Sequence, residues 1–312
     1  MLGKDAGTGD SVHHLRVEPL TASMLPPWSL WDSFAAKGAR RMTEQKLTDI
    51  VGWPVMHLFF RINRRQWRKL SEDARRAGVE EFSGWLRQTC AEEGLQLVPI
   101  AGIAKSDLGI MAVHPDLQRI QRLGQEVAST LLGTCLLPVY SFLSMSEVSD
   151  YMTSPGDFAR QLIDEKGIDP AAPEFASSVA GFRKRMAAYA DARVHPQLPK
   201  DLPVVCFYPM SKARGESHNW YTLDFDQRKK LMIGHGESGR RFAGRVLQLI
   251  TSCTGLDDWE WGVTLFARDL KSVRDVVYEM RFDPASAMYG LFGEFYLGLR
   301  FAPDDLAEVL RL

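Results

Sequence analysis

The chain has 312 residues, 45% of them hydrophobic and 25% charged, with 25 Gly and 16 Pro, which is ordinary usage for a globular protein with a sizeable core. Disordered, collagen-like and disulfide-scaffold classes are thereby excluded. Lys plus Arg number 38 against 39 Asp plus Glu, a net charge of -1, so no global charge draws the chain to nucleic acid or to an anionic membrane.

Residues 1–45 are rich in Gly, Pro, Ser and Thr and lack a sustained period, which predicts a mobile N-terminal extension or an arm that docks on a neighbour. Lys4, Asp5, Asp10 and Glu18 leave no room for the apolar stretch of a secretory signal. From residue 55, VMHLFFRI reads as a strand, and the charged stretch 64–94 carries Trp67, Leu70, Phe82 and Leu86 at helical spacings, which predicts one helix. Two strand-like runs follow, LQLVPIAGIA and LGIMAVH, then the helical DLQRIQRLGQEVASTLL and the strand CLLPVYSFLSM. The uncharged run 127–146 is long enough to tempt a transmembrane reading. Gly133, Pro138 and six serine and threonine side chains interrupt it, and a helix end, a turn and a buried strand fit better.

The first half, residues 46–152, therefore reads β-α-β-β-α-β. A segment at 153–200 is read as a helical connector from FARQLIDEKG and FASSVAGFRKRMAAYADARV. Residues 201–312 repeat the order: VVCFYPM as a strand, a helical region from 226 to about 253, then WEWGVTLFA, SVRDVVYEM and EFYLGLRF. LGIMAVHPDLQRI lines up with WGVTLFARDLKSV, matching Gly109 to Gly262, Asp116 to Asp269 and Leu117 to Leu270. The expectation is an α+β fold in which two ferredoxin-like repeats form a dimeric α+β barrel.

Cys90, Cys135, Cys206 and Cys253 stand far apart with no C-x-x-C pair, so they are read as reduced thiols of a cytosolic protein. GHGESG, residues 234–239, spells G-x-G-x-x-G, but the preceding DQRKKLMI is charge-rich and helical where a dinucleotide site needs a buried strand. We read its glycines as a break that redirects one helical segment. His235 lies between Gly234 and Gly236, small neighbours that would let a planar ligand approach the imidazole. A single axial imidazole on haem iron needs one such residue; an ordinary core or surface histidine, the reading given to His13, His14, His57, His114 and His218, is the alternative. In YPMSKARGESHNWY, Tyr208 and Lys212 stand four residues apart at a strand's end. They suit a proton or electron donor beside a carboxylate clamp, or else a core tyrosine next to a solvated lysine.

The stretches LLPVYSFLSMSEVSDY, LPKDLPVVCFYPMSK, NWYTL, GHGESGRRFAG, DDWEWGVTLF and VYEMRFDPASAMYGLFGEFYLG resemble the coproheme decarboxylase family of the chlorite dismutase superfamily. The likeness runs from about residue 54 to 301, is densest after 202, and excludes the extension and the connector. It implies the dimeric α+β barrel and a homopentameric ring in the cytoplasm. It also implies iron coproporphyrin III (coproheme) as substrate and redox cofactor, hydrogen peroxide as oxidant, haem b as product, and a transient contact with a coproporphyrin ferrochelatase. By position, His235 matches the haem ligand, Gln248 the distal residue, Tyr208 the radical-bearing tyrosine and Lys212 the proton-supplying lysine. Trp220 and Met210 match pocket residues, and Arg193, Tyr151 and Ser286 match propionate partners. Ser211, Lys212, Ala213 and Arg214 depart from the Asp-Lys-Arg-Arg usual after the family's YPM, and Asp150 stands where Asn is common.

The activity implied is loss of CO2 from two propionates by a tyrosyl radical, through a three-propionate intermediate. A tetracarboxylate substrate calls for several cationic and hydroxyl donors, which the matched positions supply. Chlorite dismutase is the nearest rival, but that family relies on a distal Arg where this chain has Gln248, with Arg245 a conceivable substitute. A non-catalytic haem-binding or haem-transfer protein would need His235 but not Tyr208 with Lys212. A cofactor-free mono-oxygenase of the same barrel would leave His235 unexplained.

Overall fold

In the first strand, β1 (Pro54–Ile62), apolar side chains point both ways: Val55 and Phe59 enter one core, Phe60 and Ile62 another. A strand covered on both faces belongs between a barrel interior and a helical layer. The computed structural model, which describes residues 52–312, shows that arrangement; the expected extension over 1–45, with His13 and His14, lies outside the described residues.

After β1 come α1 (Arg64–Trp67), α2 (Glu72–Ala91), β2 (Gln96–Ile103), β3 (Leu108–Val113), α3 (Leu117–Ser129) and β4 (Leu136–Ser146). The stretch read as one helix over 64–94 is two. The Ser71 hydroxyl accepts from the Ala74 amide and starts α2 afresh, as N-capping serines do. The helices α4 (Pro155–Asp164) and α5 (Pro173–Val194) connect to β5 (Val204–Lys212), α6 (Phe225–Arg240), β6 (Val246–Ser252), β7 (Trp261–Ala267) and α7 (Leu270–Met280). The chain ends through α8 (Pro284–Tyr289), β8 (Gly290–Phe292), β9 (Tyr296–Arg300) and α9 (Leu306–Leu310). Among the described residues no helix is long and apolar enough to cross a membrane.

Every strand pairing is antiparallel. The order β4-β1-β3-β2 of the first half recurs as β9-β5-β7-β6 in the second. The two sheets join where β2 pairs β9 and β4 pairs β6, and the ring closes into an α+β barrel of two ferredoxin-like repeats. The internal match has a physical basis. Asp116 and Asp269 cap α3 and α7 by accepting from the amides of Gln118 and Ser272, and Gly109 and Gly262 lie under Phe59 and Phe142, where a Cβ would come within 3.0 and 2.4 Å of ring carbons. His57 is a core residue of the barrel interior, its Nε2 2.9 Å from Thr264 Oγ1, and burial lowers its pKa to about 3. Cys135, Cys206 and Cys253 are buried and Cys90 exposed, all as free thiols.

Two expectations for the second half are corrected. The region 226–253 is not one helix, because α6 ends at Arg240 and residues Val246–Ser252 form β6, paired with β7 along its whole length. Nor do the glycines break α6. The helix runs through Gly234, Gly236 and Gly239, started by a capping box in which Asp224 and Gln227 exchange hydrogen bonds. Each helical glycine costs only about 1 kcal/mol relative to alanine, too little to stop a helix that is capped and packed.

The halves differ where it matters for function. In the first, α2 drives Phe82 and Leu86, both fully buried, into the space between helix and sheet. In the second, α6 has no fully buried residue, and the corresponding space is not packed shut.

Candidate functional site

Period two along β5 puts Tyr208, Met210 and Lys212 on the face shared with Val204 and Cys206, toward the helices. The same period on β6 sets Gln248 between Val246 and Ile250 on that face. From the helical layer α6 supplies His235 and α8 supplies Ser286. A cavity of about 40 Å³ between the layers is lined by Tyr208, Met210, His235, Gln248, Ile250 and Ser286, with apolar residues of β7 and α7 closing it. Five of the nine expected site residues therefore meet in one place.

His235 is held from behind. Its Nδ1 donates to Asp283 Oδ2 at 3.0 Å and lies 3.4 Å from Ser286 Oγ. Asp283 also caps α8, its Oδ1 accepting from the amides of Ala285 and Ser286 at 3.0 and 3.3 Å, while Pro284 takes the first helical position. Burial pushes the Asp283 carboxyl up, but the hydrogen bond and charge of His235, with the Ser286 contacts, outweigh it and hold the carboxyl below its ordinary range. With Nδ1 engaged, Nε2 is the nitrogen left for a ligand.

The remaining residues surround this cavity. Lys212 is buried; its Nζ donates to the Ala285 carbonyl at 3.1 Å and sits 4.4 Å over the Trp220 ring. Burial lowers its pKa to about 8, against the opposing charges of Asp283 and Glu260. Trp220 meets Tyr151 edge-on at 6.1 Å and Tyr289 at 5.4 Å. Arg193, in the last turn of α5, donates from Nη2 to the carbonyl of Ile250 at 3.2 Å, while its Nε is buried without an acceptor. Ser286 stands against His235 and not with Tyr151 and Arg193. Tyr208 is buried and stacks on Phe295 at 4.3 Å; burial raises its phenol pKa, with Cys206 adding and the Arg281 charge opposing.

Three residues escaped the sequence reading. Asp283 is one, although Asp-Pro-Ala-Ser is a legible helix start. Glu260 is another: buried, it accepts from the Lys212 amide at 2.7 Å and from Arg214 and Tyr221, and nothing local marks it within DDWEW. The third is Arg281, whose guanidinium packs 4.1 Å from the Phe292 ring centre. Among the described residues no three His, Cys, Asp or Glu side chains converge as a metal cluster.

A profile of the chlorite dismutase family matches residues 75–301 of this chain. The chain belongs to the chlorite dismutase family. A protein of Natronomonas pharaonis, named as a candidate haem-binding protein, is 37% identical over 262 residues, covering 83% of this chain and 40% of the relative. A similarly named protein of Haloquadratum walsbyi is 38% identical over 274 residues, covering 86% and 48%. The chain thus spans less than half the length of these two relatives. Among solved structures, a haem-binding protein of Thermus thermophilus superposes with a TM-score of 0.70 at 32% identity, covering 84% of this chain and 96% of that one. A chlorite dismutase variant from Candidatus Nitrospira defluvii gives 0.61 at 17% identity, covering 84% and 94%, a likeness of fold alone. Within the chlorite dismutase fold, this chain's cavity lies between the second-half sheet and its helices.

Proposed function

We propose that this chlorite dismutase family member binds iron porphyrin at His235 and, with hydrogen peroxide, removes CO2 from two propionates of iron coproporphyrin III to yield haem b. The observation that carries the reading is the meeting of His235, Tyr208 and Gln248 around one cavity, with Lys212 on the same strand face as Tyr208. Haem binding is also in the names of the relatives described above.

The donor set fits such a ligand. The Asp283-held imidazole presents Nε2 to a metal, and the acceptor-less Nε of Arg193 suits a carboxylate. Space is the constraint. The cavity is small, about 40 Å³ and about tenfold below the 300–1,000 Å³ typical of ligand pockets, so seating a porphyrin calls for the side chains lining it, or α6 itself, to give way. No side chain of α6 is fully buried, and the helix and its C-cap residue Arg241 make polar contacts with neighbouring segments: Lys229 to Asp157 at 2.6 Å, His235 to Asp283, and Arg241 to Glu279 at 2.7 Å.

When bound, the iron porphyrin supplies a metal centre that peroxide oxidises. The residues then divide the work. Tyr208, oxidised to a phenoxyl radical, takes a hydrogen atom from the propionate carbon next to the ring. The resulting carbon radical loses CO2 and one electron and becomes a vinyl group. Per propionate, one H2O2 and one proton are consumed and two waters formed. Lys212, its proton loosened by burial, supplies that proton, and the neutral amide of Gln248 orients peroxide without adding charge.

Chlorite turnover is the second reading. Its distal cation is missing, because Gln248 lines the cavity and Arg245 is exposed, stacked 4.9 Å from the Phe242 ring centre. Purified protein mixed with iron coproporphyrin III and peroxide should show successive losses of CO2 by mass, and no rapid oxygen release from chlorite. Tyr208→Phe keeps the ring that stacks on Phe295, so it should bind the pigment with near-wild-type affinity and should not decarboxylate it. Wild-type rates in that variant would sink the radical assignment.

A further inference from the structure

The first repeat carries a concentration of charge that its packing does not use. Residues 61–76, RINRRQWRKLSEDARR, hold seven arginines and lysines against Glu72 and Asp73, in a chain whose net charge is -1. They run from the end of β1 through α1 into the start of α2. Two of the seven have local duties. Arg64 donates to the Leu310 and Arg311 carbonyls at 3.0 and 3.2 Å, docking α9, and Arg76 pairs with Asp73. Asp107, 3.6 Å from Arg64, is already engaged as acceptor for the Ile62 amide at 2.8 Å. Arg61, Arg65, Arg68 and Lys69 are exposed, with no acidic partner among the described residues.

Hydrogen bonds join the segments around these cations into one rim. Arg61 donates to the Ala104 carbonyl in the β2–β3 turn at 2.7 Å. Gln66 of α1 donates to the Thr134 carbonyl at 3.1 Å, and the Asn63 amide to the Cys135 carbonyl at 2.7 Å, both just before β4. The end of β1, α1, the β2–β3 turn and the start of β4 are thereby neighbours. Apolar side chains stand out from the same rim. Leu137, the cross-strand partner of Arg61, is 50% exposed, and Ile103, next to Ala104, is 48% exposed.

Unpaired cations with apolar side chains among them fit an anionic lipid surface better than other polyanions. Headgroup charge attracts Lys and Arg, each contributing about a fivefold gain in binding (about 1 kcal/mol), while apolar side chains enter the boundary between headgroups and acyl chains. Single-stranded nucleic acid calls for exposed aromatic rings on which bases stack. Trp67, the one aromatic residue in 61–76, is buried in the first-half core. Duplex DNA calls for a helix or ribbon that enters a groove, and α1 is one turn of four residues. We propose that this rim of the first repeat is a peripheral docking surface for an anionic lipid bilayer, with Arg61, Arg65, Arg68 and Lys69 on the headgroups and Ile103 and Leu137 at the acyl boundary. It goes beyond the porphyrin reading and shares no residue with the cavity of the second repeat. Because charge supplies most of the attraction, attachment is reversible and weakens with salt.

The test is co-sedimentation of the full chain, at physiological salt, with vesicles of phosphatidylcholine alone and of phosphatidylcholine mixed with phosphatidylglycerol. The chain should pellet with the mixed vesicles only, and should be released at about 1 M salt, where the screening length falls to about 3 Å. Replacing Arg65, Arg68 and Lys69 together by Gln should weaken binding about a hundredfold, at about fivefold per lost charge. Arg68→Lys, which keeps the charge, should bind within about twofold of wild type, whereas Arg68→Gln alone should lose about fivefold. Ile103→Ser combined with Leu137→Ser should weaken binding about tenfold, the share of two partly inserted side chains. These positions are all exposed, and an unchanged thermal midpoint shows that each variant is folded. Equal pelleting with both vesicle types, no pelleting with either, or undiminished pelleting of the triple Gln variant overturns the proposal. So does tighter binding to single-stranded RNA than to the mixed vesicles, lost in the same triple variant, which would give the rim to nucleic acid instead.

Discussion

Replacing Lys212 by Met should make the protein more stable and less able to turn over its substrate. Lys212 as a whole is 6% exposed, and the pKa of its ammonium falls from the ordinary 10.5 to about 8. At 1.36 kcal/mol per pH unit that corresponds to about 3 kcal/mol of unfavourable burial in the charged form. Methionine keeps the stem and fills the same space, but the Ala285 carbonyl loses its donor and Trp220 its cation, together returning about 1–2 kcal/mol. The net expectation is a gain of about 1–2 kcal/mol at pH 7. The sign with pH follows from linkage. Between pH 8 and 10.5 the unfolded chain holds the Lys212 proton more tightly than the folded one, so wild-type stability rises with pH through that window and the advantage of Lys212→Met shrinks. Urea unfolding of both proteins at pH 7 and pH 10 measures this. A variant less stable than wild type by more than about 1 kcal/mol at pH 7 would show that its hydrogen bond and cation–π contact outweigh burial, and would refute the argument.

Gly262→Ala places a Cβ 2.4 Å from a ring carbon of fully buried Phe142, whereas Gly109→Ala meets Phe59 at 3.0 Å; the first should cost about 1–3 kcal/mol and the second less. Denaturant midpoints of the two variants check the order. Asp157→Asn removes the partner of Lys229, whose hydrogen bond is the main cause holding the Asp157 carboxyl down at about 2. The pair stabilises above the ordinary carboxylate range and is lost as pH falls toward 2. For a partly exposed pair the effect is at most about 1 kcal/mol. Amide hydrogen exchange should quicken in α6 of this variant and stay unchanged in α2; equal protection of α6 in both proteins would show that the ion pair does not hold the helix.

Much of the architecture was legible because it is written in short periods. β1 and β5 are apolar on alternate positions toward two different cores, and the repeat shows in matched glycines under aromatic rings and matched aspartates at helix starts. Tyr208 and Lys212, four residues apart at a strand's end, were also legible as a pair, and β5, which runs on to Lys212, sets them on one face. His235 stood out because its glycine neighbours are unusual.

What local pattern could not decide was settled by partners distant in the chain. Val246, Leu249 and Ile250 have apolar spacing that a helix can also use, and only pairing with β7 makes them a strand and turns Gln248 toward the cavity. The glycines of α6 locally favour a break, yet a capping box at one end and contacts with its neighbours keep the helix whole. Asp283 lies 48 residues from the His235 it holds, and Glu260 the same distance from the Lys212 amide. Such pairings depend on closure of the barrel: periodicity reports which face of an element a residue occupies, whereas the identity of the group facing it is a property of the folded chain.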